Sequence, residues 1–462
     1  MSRRNTILFL GLLAFVVFSC SKTKPPVYVA KVGERYITLA EFKLSYEFNP
    51  YLDRVNPPDS AKHLLLNNLI AEKMLAQEAA ASIGKEKQRL DDLVEEYNRE
   101  AMIEAFWKQI IIPKVKVSET ELRQAYKKSK IKKVVRYLLF TDGNDAKKAY
   151  AMIRNGLSFE QVARTRGFLP DQIPVDTITF SGALPNIEDQ VFKMKIGQVS
   201  PPIKEGFYYF ILKLVDEKIN LFTSESEYQQ IRSSLLKKLR REKEEEVFLH
   251  YIKEHVPTPP YDVNEKRFKA LVQMLEQYAF KKLNPKTQNI LPDDIYYAFK
   301  DKNADILKKT IVTFYDGTAW SVKDLMKRMM LAPYPIRFDN PKIFRESILL
   351  SARHVLDDAI IYKQAKKLGL EQSEYVRQQT QMWKDFFYFK KGLAKVFRGK
   401  NLGDMNALGA YLNSIKHKYP VVINHTVYDT LHLQKTGMAV LKQHFPGRIA
   451  VPVFPLLRRW RP

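Results

Sequence analysis

Apolar and polar positions change rhythm several times along this chain. The stretch VYVAKVGERYITLAEF (27–42) alternates around Gly33-Glu34, which predicts a short strand, a turn and a second strand. Thr38, with Glu41 three residues later, then carries the signature of a helix start. Leu64, Leu65, Leu69, Ile70, Met74, Leu75 and Ala79 recur at three- and four-residue spacing, predicting a long helix that ends at Ile83-Gly84. A second helix is expected from Glu86 to Ile111, where Pro113 stops it, and Ser118 with Glu121 opens a shorter one through Tyr126.

Between Lys133 and Glu217 the pattern becomes mixed. VVRYLLF, TITF and FYYFILKLVD read as strands, while NDAKKAYAMIRNG, SFEQVART and NIEDQVFKM read as helices. A helix with a charged face, Glu227 to Lys253, follows and is ended by Pro257-Thr258-Pro259-Pro260, the best boundary in the chain.

The C-terminal part repeats the organisation of the N-terminal part. Gly317-Thr318-Ala319-Trp320-Ser321 echoes Gly33 to Thr38 with one residue fewer, and LLSARHVLDDAIIYKQAKKLG (349–369) parallels LLLNNLIAEKMLAQEAAASIG (64–84). Two amphipathic helices resemble one another by chance, but the strand, turn and strand before each raise the likeness to a duplication. The tail, YPVVINHTVYDTL and RIAVPVFPLLRRW, reads as short extended segments.

The expected fold class is therefore mainly α with an α+β insert and a second helical segment resembling the first. Its divisions are a leader (1–19), a tether (20–27), a first helical segment (28–132), the α+β domain (133–217) and a returning helix (218–256). A helical linker region (257–311), the second helical segment (312–425) and C-terminal extended segments (426–462) complete it.

Composition narrows what such a chain does. The 462 residues are 45% apolar and 27% charged, ordinary for folded protein, but 76 Lys+Arg against 51 Asp+Glu leave a net charge of +25. Such an excess suggests phosphate binding, and the N-terminus argues against nucleic acid as its object. Arg3 and Arg4 precede an uncharged, mostly apolar run from Ile7 to Phe18, then Ser19 and Cys20, the form of a secretory leader. Val17-Phe18-Ser19-Cys20 resembles a bacterial lipobox, which makes Cys20 the expected lipid attachment; the plainer alternative is an ordinary leader with an incidental cysteine. Cys20 is the one cysteine, so disulfides, thiolate zinc sites and thiol catalysis have no residues to use after it. No G-x-S-x-G, H-E-x-x-H, Walker A or G-x-G-x-x-G motif occurs, and the scattered histidines form no convincing ligand pair. Neither a metal nor a cofactor is expected.

Three segments carry a family resemblance. NGLSFEQVA (155–163), FSGALPNIEDQVFKMKIGQVS (180–200) and Pro202 to Asp216 resemble, in order and spacing, the motifs of the parvulin-like (PpiC-type) peptidyl-prolyl isomerase domain. Together with the VGERYITLAEF start and the helices after it, they resemble the SurA/PrsA-type exported foldases, in which such a domain sits within a helical chaperone domain. The resemblance implies a site that seats proline in an apolar pocket beside two histidines and a Cys or Asp. Aligning the segments puts Tyr137, Leu169 and Phe210 at those three positions, so the expected catalytic set is empty and enzyme status is left open. Phe180, Phe192, Val199 and Phe210 are the candidates for a groove that still binds peptide. Asp176 and Tyr137 are weighed as a substitute polar pair, against Asp176 simply facing solvent.

These features lead to an envelope lipoprotein that acts as chaperone or foldase on unfolded or nascent exported proteins, outer-membrane proteins among them. It would be held at the periplasmic face by its lipid, at the outer membrane in preference to the inner, with no nucleic acid partner. Three alternatives stay open: an active peptidyl-prolyl isomerase, a domain kept only as structure with Tyr137 and Phe210 filling the old cleft, and a scaffold subunit of an envelope complex.

Overall fold

The computed structural model describes residues 26–462 apart from 53–54, 56, 83, 181–183, 206–207, 221–223, 283–303, 333, 399–403, 434–450 and 453–459. The leader, Cys20 and most of the proline-broken tail lie outside the described residues. Along the chain come β1 Tyr28–Val32, β2 Arg35–Thr38, α1 Leu39–Glu47, α2 Pro58–Ala80 and α3 Lys87–Phe106. Then follow α4 Glu119–Ser129, β3 Ile131–Phe140, α5 Gly143–Arg154, α6 Phe159–Thr165, β4 Val175–Thr179, α7 Pro185–Val191, β5 Ile203–Glu205, β6 Tyr208–Ile219 and α8 Glu225–His255. The rest is β7 Tyr261–Val263, α9 Glu265–Gln277, β8 Thr310–Phe314, β9 Ala319–Ser321, α10 Val322–Leu331, α11 Pro341–Lys367, α12 Glu374–Val396, α13 Met405–Ile415 and β10 Val421–Ile423. Contacts divide the chain into two compact units, one of residues up to Ala105 with Asp262–Pro462, the other Phe106–Tyr261.

In the first unit both halves of the repeat fold alike, and for the same local reasons. Gly33 and Gly317 turn the two hairpins at φ 54° and 80°, a conformation that costs any residue with a Cβ. The Thr38 hydroxyl accepts the Glu41 amide at 3.1 Å, and Ser321 with Asp324 forms a complete capping box at the same place in the second copy. Gly84 and Gly369, both left-handed, separate each pair of long helices.

The copies exchange elements. The sheets run β10-β1-β2 and β7-β8-β9, so the first hairpin gains a third strand from the end of the second copy, while the second hairpin gains one from the linker just before it. Ala30 stands opposite Ile423 and Val32 opposite Val421, while the Asn264 amide donates to the Ile311 carbonyl at 2.8 Å. The second long helices cross over in the same sense. Helix α12 lies along α2, so close that a Cβ on Gly392 would stand 3.1 Å from the Leu75 carbonyl oxygen. Helix α3 turns Asp92 and Glu96 onto α10, where Lys327 and Arg328 meet them at 2.7 and 2.8 Å.

One ion cluster is sealed inside this exchange. The Lys73 Nζ, fully buried, lies 2.6 Å from Glu41, 3.1 Å from Asp385 on α12 and 3.3 Å from Glu72, with Arg35 3.3 Å from Asp385. Two cations face three carboxylates. Burial drives the Glu72 carboxyl up to about 8 against the pull of Lys73, with Glu41 and Asp385 repelling its charged form as well.

The second unit is built on an antiparallel sheet of order β4-β3-β6-β5. Helices α5 and α6 cover one face through Leu138, Phe140, Phe159, Val162 and Ile211. Ser158 and Gln161 cap α6 reciprocally. On the other face α7 packs Ile187 and Val191 against Val135, Ile178, Leu212 and Leu214. Helices α4 and α8 join through Leu122, Tyr126, Tyr228 and Leu235.

Two elements depart from the sequence reading. The helix expected to reach Ile111 is α-helical only to Phe106 and then widens, with the Ile112 amide donating to the Trp107 carbonyl five residues back. Pro113 explains this, because it has no N–H and its ring crowds the carbonyl four residues earlier. The segment expected to be extended from Tyr419 is strand only at Val421–Ile423; Asn424 then caps a helical turn, His425–Tyr428. Among the described residues no helix is long and apolar enough to cross a membrane.

Candidate functional site

Strand register decides which side chains share a face. Tyr137 stands opposite Leu212, and Leu139 opposite Phe210, across β3 and β6; Ile203 stands opposite Phe210 across β5 and β6. Opposed residues point to the same side of a sheet, and every second residue joins them. The result is a half-covered apolar surface made by Val135, Tyr137, Leu139, Phe210 and Ile203, on the side that α7 only partly covers. The Tyr137 and Phe210 rings are 6.2 Å apart, both half-buried, and Phe192 borders the same cluster from the end of α7.

The site residues expected from sequence are distributed unevenly. Tyr137, Phe192 and Phe210 come together in this one surface. Phe180 touches it edge-on, 6.1 Å from Phe192, but packs mainly on the α4 and α8 cluster with the Lys238 ammonium 4.6 Å from its ring. Val199 packs on the opposite face, with Leu138 and Phe159. Leu169 is 55% exposed in the turn after α6, where its amide donates to the Gln172 side chain at 3.3 Å. The Asp176 carboxylate accepts the Thr177 amide at 2.7 Å, and no hydrogen bond joins it to Tyr137 among the described residues.

No histidine stands anywhere between His63 and His250 in the sequence, so this sheet offers no imidazole. Among the described residues no group of His, Cys, Asp or Glu is arranged to hold a metal ion. Chemically the surface can bind apolar and aromatic side chains; it has no general acid or base of the histidine type to offer. A separate hollow of about 420 Å³ lies between Lys114–Lys116 and α8. Its Lys243 is committed to Glu121 at 2.6 Å and to the Lys116 carbonyl, which closes off its main cation.

The sequence reading missed one group on this face. Glu205 ends β5 opposite Tyr208, two residues beyond Ile203, and its Oε2 is buried with no hydrogen-bond partner among the described residues. The alternation Ile203-Lys204-Glu205 holds the signal, but only the register with β6 says which side faces the aromatic rings.

Comparison with known proteins agrees with the geometry. Residues 117–219 match the family model described as the PPIC-type PPIASE domain. A foldase protein PrsA of Caldanaerobacter subterraneus is 27% identical over 258 residues, covering 46% of this chain and 82% of the relative. Foldase protein PrsA 2 of Bacillus anthracis is 31% identical over 134 residues, 28% of this chain and 44% of its own length. Among solved structures, the PrsA peptidylprolyl isomerase of Bacillus anthracis covers 41% of this chain and 96% of its own at 18% identity, with a TM-score of 0.21. One of the SurA-like chaperones of Campylobacter jejuni covers 49% and 96% at 14% identity, with a TM-score of 0.23. The domain at 117–219 is thus of the PPIC type, and the chain around it is similar in sequence to PrsA foldases.

Proposed function

We propose that this chain is an exported lipoprotein chaperone whose PPIC-type domain binds extended segments of unfolded client proteins and has given up catalysis of prolyl isomerisation. The observation that carries the proposal is the surface shared by Tyr137, Phe192 and Phe210: half-buried rings on an open sheet face, where the family has its histidines. Rotation about an X-Pro bond has a barrier of about 18–20 kcal/mol, and lowering it takes polar groups aimed at the carbonyl as well as a seat for the ring. In this reading the apolar seat is kept, and Tyr137 and Phe210 stand where the family resemblance implies histidines.

Cys20 is the proposed lipid attachment, on the strength of the leader before it, and clients would include outer-membrane proteins passing through the periplasm. Tethering would hold the binding surface where exported chains emerge, and weak, repeated contacts with aromatic segments would keep them from aggregating. The experiment is light scattering of a chemically unfolded client diluted into the purified chain. Suppression of aggregation at near-stoichiometric chaperone supports the proposal. No suppression, together with co-purification of a single stoichiometric envelope partner, replaces it with a scaffold role.

A further inference from the structure

Glu205 is the one feature of the aromatic face that the proposed function does not use. It is a half-buried carboxylate at the end of an edge strand, where turning to water would be easy, yet its Oε2 is buried and accepts no hydrogen bond among the described residues. Buried acceptors in folded proteins are almost always satisfied, so an unsatisfied one calls for an explanation, and beside an open aromatic surface a bound cation is a fitting one. Register places Glu205 on the same side as Ile203, and so beside Phe210 and Tyr208.

Four lysines around this sheet are engaged elsewhere. Lys204 alternates to the opposite face, with its ammonium 5.9 Å from the Tyr209 ring. Lys133 donates to the Met194 carbonyl at 3.0 Å and pairs with Glu217 at 2.8 Å. Lys213 is held by Glu160 at 2.7 Å, and Lys238 by Glu188 at 2.8 Å. The carboxylate that borders the aromatic surface is left for a donor from outside.

We propose that Glu205 sets the specificity of this surface, taking the ammonium or guanidinium of a lysine or arginine that neighbours an aromatic or proline residue in an extended peptide. The assignment rests on the peptide-binding reading above and deepens it. The rings seat the apolar side chain, and the half-buried Glu205 carboxylate forms a charge-assisted hydrogen bond with the cation beside it. Peptides rich in aromatics but without a cation would then bind more weakly, and acidic ones would be rejected.

The test is fluorescence anisotropy of the purified chain with labelled Ser-Ala-Lys-Phe-Pro-Phe-Ala-Ser and its counterpart carrying norleucine for lysine. Wild type is expected to bind the lysine peptide about tenfold tighter, the size of one hydrogen bond to a charged group. Glu205→Gln should erase that preference while leaving norleucine-peptide affinity within about twofold, the volume and fold being kept. Equal affinity of wild type for both peptides, with both weakened by Phe210→Ala, overturns the Glu205 assignment and leaves the binding surface standing. Binding of neither peptide, or binding indifferent to both Phe210→Ala and the more conservative Phe192→Leu, removes the surface and the assignment together. Thermal melts of each variant confirm that it is folded.

Discussion

At the scale of single residues, the protein places charge where hydrocarbon is the rule. Glu72 is held up to about 8 by burial, above the ordinary carboxylate range, so between the two values the folded chain binds a proton that the unfolded chain does not. Stability must therefore fall as pH rises through that interval. Glu72→Gln should flatten this slope: denaturant midpoints equal to wild type at pH 5.5 and higher than wild type at pH 8.5. Glu95 works in the opposite direction. Burial opposes its ionisation, but Arg328 and Lys327 at 2.5 and 2.9 Å overcome this and lower it to about 2. Its contribution is present at neutral pH and is lost as pH falls from about 4.5 toward 2. Glu95→Gln should leave an acid unfolding curve with a shallower limb in that range, read by circular dichroism. Neither environment is visible in sequence: Glu95 meets Lys327 and Arg328 across more than two hundred residues, and Glu72 with its neighbour Lys73 is buried beside Asp385 only once α12 is in place. What sequence does show is local: Thr38 with Glu41, Ser118 with Glu121, and the glycines that must turn with positive φ.

At the scale of elements, the two long-helix pairs were legible and their exchange was not. Spacing of apolar residues identifies α2 and α11 as equivalents, since each must bury a stripe. It says nothing about which helix covers which, because α2 and α12 both carry a suitable stripe and strand pairing between β1 and β10 leaves no mark in either. Gly392 is the exception in hindsight. A glycine inside a helix costs about 0.5–1 kcal/mol relative to alanine, so its place on α12 needs a reason, and the Leu75 backbone at 3.1 Å supplies it. Gly392→Val should destabilise the chain by about 2 kcal/mol, because α2 is packed all round and cannot retreat. Equilibrium unfolding in urea checks this, and a neutral result would mean that the two helices are not in close contact. The same limit applies in the central sheet. Tyr137 and Phe210 were found from alignment with family motifs, whereas the sidedness of Val199 and Glu205 depends on register that a bridge of Val199 to Lys213 and a three-residue β5 fix only in three dimensions.

At the scale of the whole molecule, the net charge of +25 no longer asks for nucleic acid. Some basic residues are internal wiring, with Lys73, Lys327 and Arg328 binding one copy of the repeat to the other through acids that match them, so the excess is carried by other lysines and arginines. The duplicated segments form one interlocked unit, and the PPIC-type domain stands in the chain between α3 and β7. The first hairpin takes its third strand, β10, from the C-terminal part, and α2 is covered by α12, so folding of this unit must wait for the C-terminal segment; refolding should be a single cooperative transition for α2 and α12, followed by hydrogen exchange. The central claim is that the PPIC-type surface binds without catalysing. Its most direct test is the protease-coupled isomerisation of a Phe-Pro tetrapeptide by the soluble chain from Ser21 onward, run beside an anisotropy titration of a related labelled peptide. Saturable binding with an isomerisation rate equal to the uncatalysed one is the expected result. A rate that rises in proportion to chaperone concentration, whether or not it survives Tyr137→Ala, would contradict it.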